Sequence, residues 1–212
     1  MLLQQLQDDS LAYHYAHVAR LDGAVDADTL AAAVADVVER HESLRTVVES
    51  EDGTPYQRIL STAEAVRFDL HETESEDAVR ALLTERLTAS FDLRTDPPLR
   101  VVLVRVAPDR HVLAVVLHHI ATDEWSDAPL LGDLTRAYLA RSAGATPEWS
   151  PLPVQYADYT LWQRELIEAG RIDTQIDYWT DTLAQLPDEI VLPTDRLRPA
   201  RPTGAAGNTT AT

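Results

Sequence analysis

His118 and His119 close the apolar run VLAVVLHH, and Asp123 follows the second histidine by four positions. A neutral imidazole can take a proton from an attacking nucleophile, or hold that proton by a hydrogen bond, near pH 7. A carboxylate four residues on can orient a ring nitrogen, or it can serve the backbone of a turn instead. Successive side chains of a strand alternate between its faces. A strand ending at Leu117 therefore sends one histidine toward the core and the other toward a cavity. Three readings fit these residues: a buried, hydrogen-bonded pair at a strand end, a metal ligand pair, and a catalytic base. The metal reading lacks a third ligand at suitable spacing. Composition and periodicity do not choose among them.

The elements that position the histidines are more legible. PLRVVLVRV and HVLAVVLHH are strongly apolar strands joined by the turn Ala107-Pro108-Asp109-Arg110, with apolar residues on both faces, which predicts a hairpin in the middle of a sheet. Ser126 is placed to cap the following helix, with Pro129 in its first turn and Leu130, Leu134 and Tyr138 along it to about Arg141. Upstream, Asp26 or Asp28 can cap a helix marked by Leu30, Val34, Val37 and His41. LRTVVES reads as a strand, Asp52-Gly53 as a hairpin turn and PYQRIL as the returning strand. A short strand around VRFDL and a helix through Val79, Leu82, Leu83, Arg86 and Leu87 follow. After a loop from Ala143 to Pro153 come two more helices, the last with a stripe of Ile172, Ile176, Trp179, Leu183 and Leu186. Tyr156, Tyr159 and Trp162 recur at helical spacing and are read as core packing. His14, His17, His71 and His111 have no evident constellation and are read as ordinary surface or strand residues. The order of elements predicts an α+β fold, a largely antiparallel sheet covered by helices.

Bulk properties narrow the function. The 212 residues include 18 basic and 35 acidic side chains, a formal charge of −17. That surface repels phosphate backbones and anionic bilayers, so neither nucleic acid nor membrane is an expected partner. With no cysteine there is no disulfide, thiol nucleophile or zinc-thiolate site. MLLQQLQDDS lacks the pattern of a secretion signal and the apolar runs are too short to span a bilayer, so a cytoplasmic protein is expected.

HHIATDEWS resembles the His-His-x-x-x-Asp-Gly signature of the condensation domains of nonribosomal peptide synthetases, members of the acyltransferase superfamily that includes chloramphenicol acetyltransferase. RHESLRT at 40–46 and YADYTLWQR at 156–164 resemble two further signatures of that family, and DGTPYQRIL, FDLRTDPPLR and LPTDRLRP agree in order and spacing. The resemblance covers residues 1–202. It implies the two-layer sandwich lobe of the chloramphenicol acetyltransferase-like fold, with 1–186 as the N-terminal lobe and 187–212 as a linker or tail toward a C-terminal lobe.

The implied activity is amide-bond formation between thioesters carried on the phosphopantetheine arms of donor and acceptor carrier proteins, with no cofactor or metal bound by the chain itself. His119 matches the functionally important histidine, as general base or as the group that positions the amine and stabilises developing charge. His118 matches its neighbour. Asp123 matches a structural aspartate that pairs with an arginine, for which Arg45 is nominated. Glu124, Trp125 and Ser126 follow as candidates for lining the substrate channel.

The sequence also departs from the family. Glu124 stands where the motif has glycine, at a penalty of roughly 1–2 kcal/mol if the backbone there needs positive φ. An acidic residue at that position is similar to the noncatalytic relatives that recruit oxygenases, although those lose the second histidine as well. The family's opening signature and those of its second lobe are not found, so the isolated lobe is expected to be incompetent alone, to expose an apolar face, and to need a second chain, dimerise or aggregate. The alternatives are a noncatalytic module docking a carrier protein or tailoring enzyme, and an epimerising, ester-forming or starter-acylating variant. Because carriers are acidic too, docking is expected through a local basic or apolar patch with modest salt dependence.

Overall fold

The computed structural model describes residues 11–187, 190 and 193–196. In chain order these form β1 (His14–Asp22), α1 (Ala27–Arg40), β2 (Thr46–Glu51), β3 (Thr54–Ile59), the single turn α2 (Thr62–Ala65), β4 (Phe68–Glu72) and α3 (Glu76–Thr88). Then follow β5 (Leu99–Ala107), β6 (Arg110–His118), α4 (Asp127–Ser142), α5 (Tyr156–Glu168) and α6 (Asp173–Leu183). The described residues fall into two compact units, one reaching Arg164 and the other starting at Glu165.

Valine-rich β5 and β6 occupy the centre of a four-stranded sheet of order β1-β6-β5-β4, as their two apolar faces require. β1 and β5 flank β6 antiparallel, and β4 runs parallel to β5. Both faces of the hairpin are buried because helices lie on both sides. Leu99, Val101, Val115 and Leu117 pack with Val34, Val37 and Val38 of α1 and with Leu130 and Ala137 of α4. Val102, Val104, Val106, Val112 and Ala114 instead meet Val79, Leu82 and Leu83 of α3. β2 and β3 form a separate hairpin through the Asp52-Gly53 turn, where Asp52 adopts a φ of 50° and Gly53 one of 78°.

Local chemistry sets the helix boundaries. Asp26 accepts the Thr29 backbone N–H at 2.7 Å, which caps α1, and the extended backbone of His41 ends it. Ser75 caps α3 through the Ala78 N–H. Several expectations change in the structure. Leu44 and Arg45 belong to a 3-10 turn (Glu42–Arg45), so the strand begins only at Thr46. β1 carried no sequence signal: HYAHVARLD does not alternate, because it is a half-exposed edge strand whose position comes from pairing with β6. α2 had one in Ser61-x-x-Glu64, which forms a complete capping box.

Tyr156, Tyr159 and Trp162 are not core. They are 55%, 44% and 53% exposed and touch in tilted pairs along α5, at 6.0 and 5.6 Å between ring centroids. In the second unit the α6 stripe is likewise exposed at Ile176, Trp179 and Leu183. Most of the stretch 187–212, expected as a linker, lies outside the described residues. Among the described residues no helix is long and apolar enough to cross a membrane.

Candidate active site

β6 ends in register with β1, pairing His14 with His118 and Tyr15 with Leu117. The ladder runs one step further through the His119 N–H to the Tyr13 carbonyl at 2.8 Å. Alternation then separates the two histidines. His118 turns into the α3 side of the sheet and is 4% exposed, among the rings of Tyr13, His14 and Phe91 at 6.0, 6.5 and 5.9 Å. His119 turns to the opposite side and is exposed, with the Tyr15 ring edge-on at 5.6 Å.

The surroundings of His118 define its state. Its Nδ1 accepts the Ile120 backbone N–H at 3.0 Å, so the neutral ring carries its proton on Nε2, a buried atom without a hydrogen-bond partner among the described residues. Burial, reinforced by neighbouring His14, lowers its pKa to about 4. At neutral pH this imidazole is an uncharged packing group whose free lone pair is already used. His14, which carried no expected role, is part of this cluster, and its Nδ1 donates to the Leu87 carbonyl at 3.0 Å.

Asp123 does not pair with Arg45, which corrects that expectation. Its Oδ1 accepts the Ser126 backbone N–H at 3.0 Å and the Ser126 hydroxyl at 2.6 Å, while Ser126 Oγ accepts the Asp123 N–H at 3.2 Å. This reciprocal box closes the 3-10 turn Glu124–Ser126. Ser126 accordingly makes no side-chain cap on α4, contrary to expectation, because its hydroxyl is taken by Asp123. Arg45 is directed by its own 3-10 turn toward the end of β3, giving Nη1 to the Leu60 carbonyl at 2.7 Å and Nη2 to Glu42 at 3.3 Å. Glu124 sits at an ordinary backbone angle, since Asp52 is the one non-glycine residue of positive φ among those described. The penalty expected for replacing the motif glycine does not arise in this conformation.

Beside the motif loop lies a cavity of about 240 Å³ whose lining includes His41, Leu117, Thr122, Trp125, Ser126 and Leu130. Of the three channel candidates, Trp125 and Ser126 line it and Glu124 does not. Trp125 is otherwise bare, 89% exposed. RHESLRT contributes two further contacts that sequence reading did not foresee. Arg40 Nε and His41 Nε2 both meet Asp133 of α4, at 2.9 and 2.8 Å, and so tie the end of α1 to the helix behind the cavity.

A second group that sequence reading missed lies on the His119 side. The Tyr15 hydroxyl donates to Asp127 Oδ2 at 2.6 Å, and His17 Nε2 approaches Asp127 Oδ1 at 3.1 Å. The bond from Tyr15 holds the Asp127 carboxyl below the usual carboxylate range, and the same bond raises the phenol. His17 is therefore not an isolated surface residue. Among the described residues no group of three or more His, Asp or Glu is placed to hold a metal ion.

The family model described as the Condensation domain matches residues 1–212. The isonitrile lipopeptide synthase of Mycobacterium tuberculosis is 46% identical over 205 residues, 93% of this chain and 8% of that protein. The dimodular nonribosomal peptide synthase of Bacillus subtilis is 45% identical over 206 residues, 94% of this chain and 9% of that protein. The chain thus spans under a tenth of the length of these curated relatives. Among solved structures, the X-domain in its complex with OxyB from teicoplanin biosynthesis superposes with a TM-score of 0.86 at 39% identity, covering 95% of this chain and 45% of that one. The starter condensation domain of rhizomide synthetase, at 20% identity and a TM-score of 0.78, shares the fold over 88% of this chain and 46% of its own. With its whole length matched by the Condensation domain model, this chain belongs to the condensation domain family of nonribosomal peptide synthetases.

Proposed function

We propose that this chain supplies the histidine face of a condensation domain that joins an acyl donor to an aminoacyl acceptor. Both are thioesters on the phosphopantetheine arms of carrier proteins, and the chain works beside neighbouring synthetase domains. The observation that carries this reading is the division of labour at the end of β6: His118 is buried with its lone pair occupied, while His119 is exposed and able to meet substrates. In the step, the acceptor amine attacks the thioester carbonyl, the new C–N bond forms and the C–S bond breaks. The proton leaving the amine passes through His119 to the departing thiolate, or is held by His119 while charge develops. His118 and Asp123 support the loop, through Ile120 and Ser126 respectively.

A second reading is favoured by one pair of observations. The X-domain of the teicoplanin system is similar at 39% identity, and Glu124 replaces the motif glycine. In that reading the chain is a module that docks a carrier or tailoring enzyme and performs no chemistry.

The test compares wild type with His119→Ala, as the chain alone and as the chain joined to the second half of a related condensation domain, using carrier-loaded donor and acceptor. Wild-type turnover that falls at least 100-fold in His119→Ala is the expected result. Turnover unaffected by the substitution refutes the catalytic reading. Absence of turnover in every form, with tight binding of a carrier or tailoring enzyme retained in His119→Ala, establishes the docking module instead.

A further inference from the structure

The backbone of His119 is held by the Tyr13 carbonyl, which leaves the rotamer of its exposed imidazole to be set by the side chains around it. The Tyr15 ring meets it, edge-on at 62° and 5.6 Å between centroids. Tyr15 is itself fixed at its far end by the 2.6 Å bond to Asp127 Oδ2. Asp127 is fixed in turn: it is the first residue of α4, where a helix N-terminus favours a carboxylate, and His17 Nε2 takes its second oxygen at 3.1 Å. The His17 ring also stands edge-on against Tyr15 at 5.1 Å and 84°, which buttresses the phenol from the next residue on the same face of β1. A continuous series of contacts therefore runs from α4 through Asp127 and Tyr15 to the His119 imidazole.

We infer that Tyr15 and Asp127 are positioning residues for His119, fixing the orientation of its ring through the Tyr15–Asp127 hydrogen bond. The inference rests on the reading of His119 given above. Asp127 has both oxygens engaged, so it acts through Tyr15 and not on substrate. Placement of this kind matters because a displacement of about 1 Å at a reacting centre can reduce a rate by about 100-fold.

Three variants separate this from a merely structural role. Tyr15→Phe keeps a ring against His119 but removes the tether, Asp127→Ala removes the acceptor, and Asp127→Asn restores an acceptor. The first readout is the nuclear Overhauser cross-peak between the residue 15 ring and His119 Hδ2 in the full chain. The second is kcat and KM separately in the condensation assay. The expected result is a cross-peak reduced at least twofold in Asp127→Ala and Tyr15→Phe, with kcat down about tenfold, KM within twofold, and at least half of each loss recovered in Asp127→Asn. Cross-peak and kcat both at wild-type level in folded Asp127→Ala overturn the inference. Should Asp127→Ala fail to fold, Tyr15→Phe, which removes one hydroxyl, decides the same point. If His119→Ala leaves turnover intact, the proposed function falls, and the cross-peak alone then decides whether the tether exists.

Discussion

Lowering the pH from 7.5 to 5 is expected to destabilise this protein through His118. In the unfolded chain the imidazole binds a proton near its ordinary value of 6.5, whereas in the folded chain burial lowers that value to about 4. Between these values the unfolded state holds the extra proton, so stability is intact above pH 6.5 and lost as the pH falls toward 4. At 1.36 kcal/mol per pKa unit the full loss is roughly 3 kcal/mol, and the part lost by pH 5 is roughly 2 kcal/mol. Carboxylates held low by hydrogen bonds, such as Asp26, Glu49 and Asp92, act in the same direction, but only once the pH drops below their ordinary values of 3.8 to 4.5. Between pH 6.5 and 5 those carboxylates contribute little, and the His118 contribution is isolated by comparison with a variant that lacks it. The assay is urea unfolding at fixed ionic strength at pH 7.5, 6.5, 5.5 and 5, comparing wild type with His118→Asn. The asparagine amide oxygen can stand in for Nδ1 toward the Ile120 N–H, and the remaining histidines are common to both proteins. The free-energy gap between the two is expected to narrow by roughly 2 kcal/mol on going to pH 5, about 1 M in urea midpoint. A gap constant to within about 0.5 kcal/mol across the series would refute the reasoning.

Three further outcomes follow from the packing and the loop. Leu103→Ala removes a fully buried side chain of β5 clustered with Leu30 and Phe68 and is expected to cost about 2–5 kcal/mol, read from urea unfolding. Glu124→Gly relieves no strain, since Glu124 has an ordinary φ, and is expected to leave the melting temperature unchanged or to lower it by the equivalent of about 0.5–1 kcal/mol. A double-mutant cycle with Arg45→Ala and Asp123→Ala is expected to be additive within about 0.5 kcal/mol, because their partners are Leu60 and Glu42 in one case and Ser126 in the other.

Neither Asp123 nor Arg45, the two residues expected to support the motif together, pairs with the other. Asp123 spends its carboxylate on Ser126, and Arg45 ties the end of β3 to its own turn. The side chain that meets His119 comes instead from β1, with its anchor at the start of α4. On α5 too, spacing and position part company: Tyr156, Tyr159 and Trp162 have core-like spacing but stand exposed, in tilted contact with one another.

Several features were determined by the sequence alone. Asp26 ahead of an alanine- and valine-rich run sets α1, Asp52-Gly53 sets the β2–β3 turn, and two doubly apolar strands require a covered hairpin at the centre of the sheet. Alternation along that hairpin places His118 and His119 on opposite faces. These are local rules, carried by residues within a few positions of one another. The edge strand β1 and the Tyr15–His17–Asp127 group were decided by tertiary structure, whereas Asp123 and Arg45 find Ser126 and Glu42 only three positions away. Tyr15 and Asp127 are 112 positions apart, and no local pattern marks one as the other's partner. They meet because β1 pairs with β6 in the register Tyr15–Leu117, and because the chain turns directly from the end of β6 through a 3-10 turn into α4.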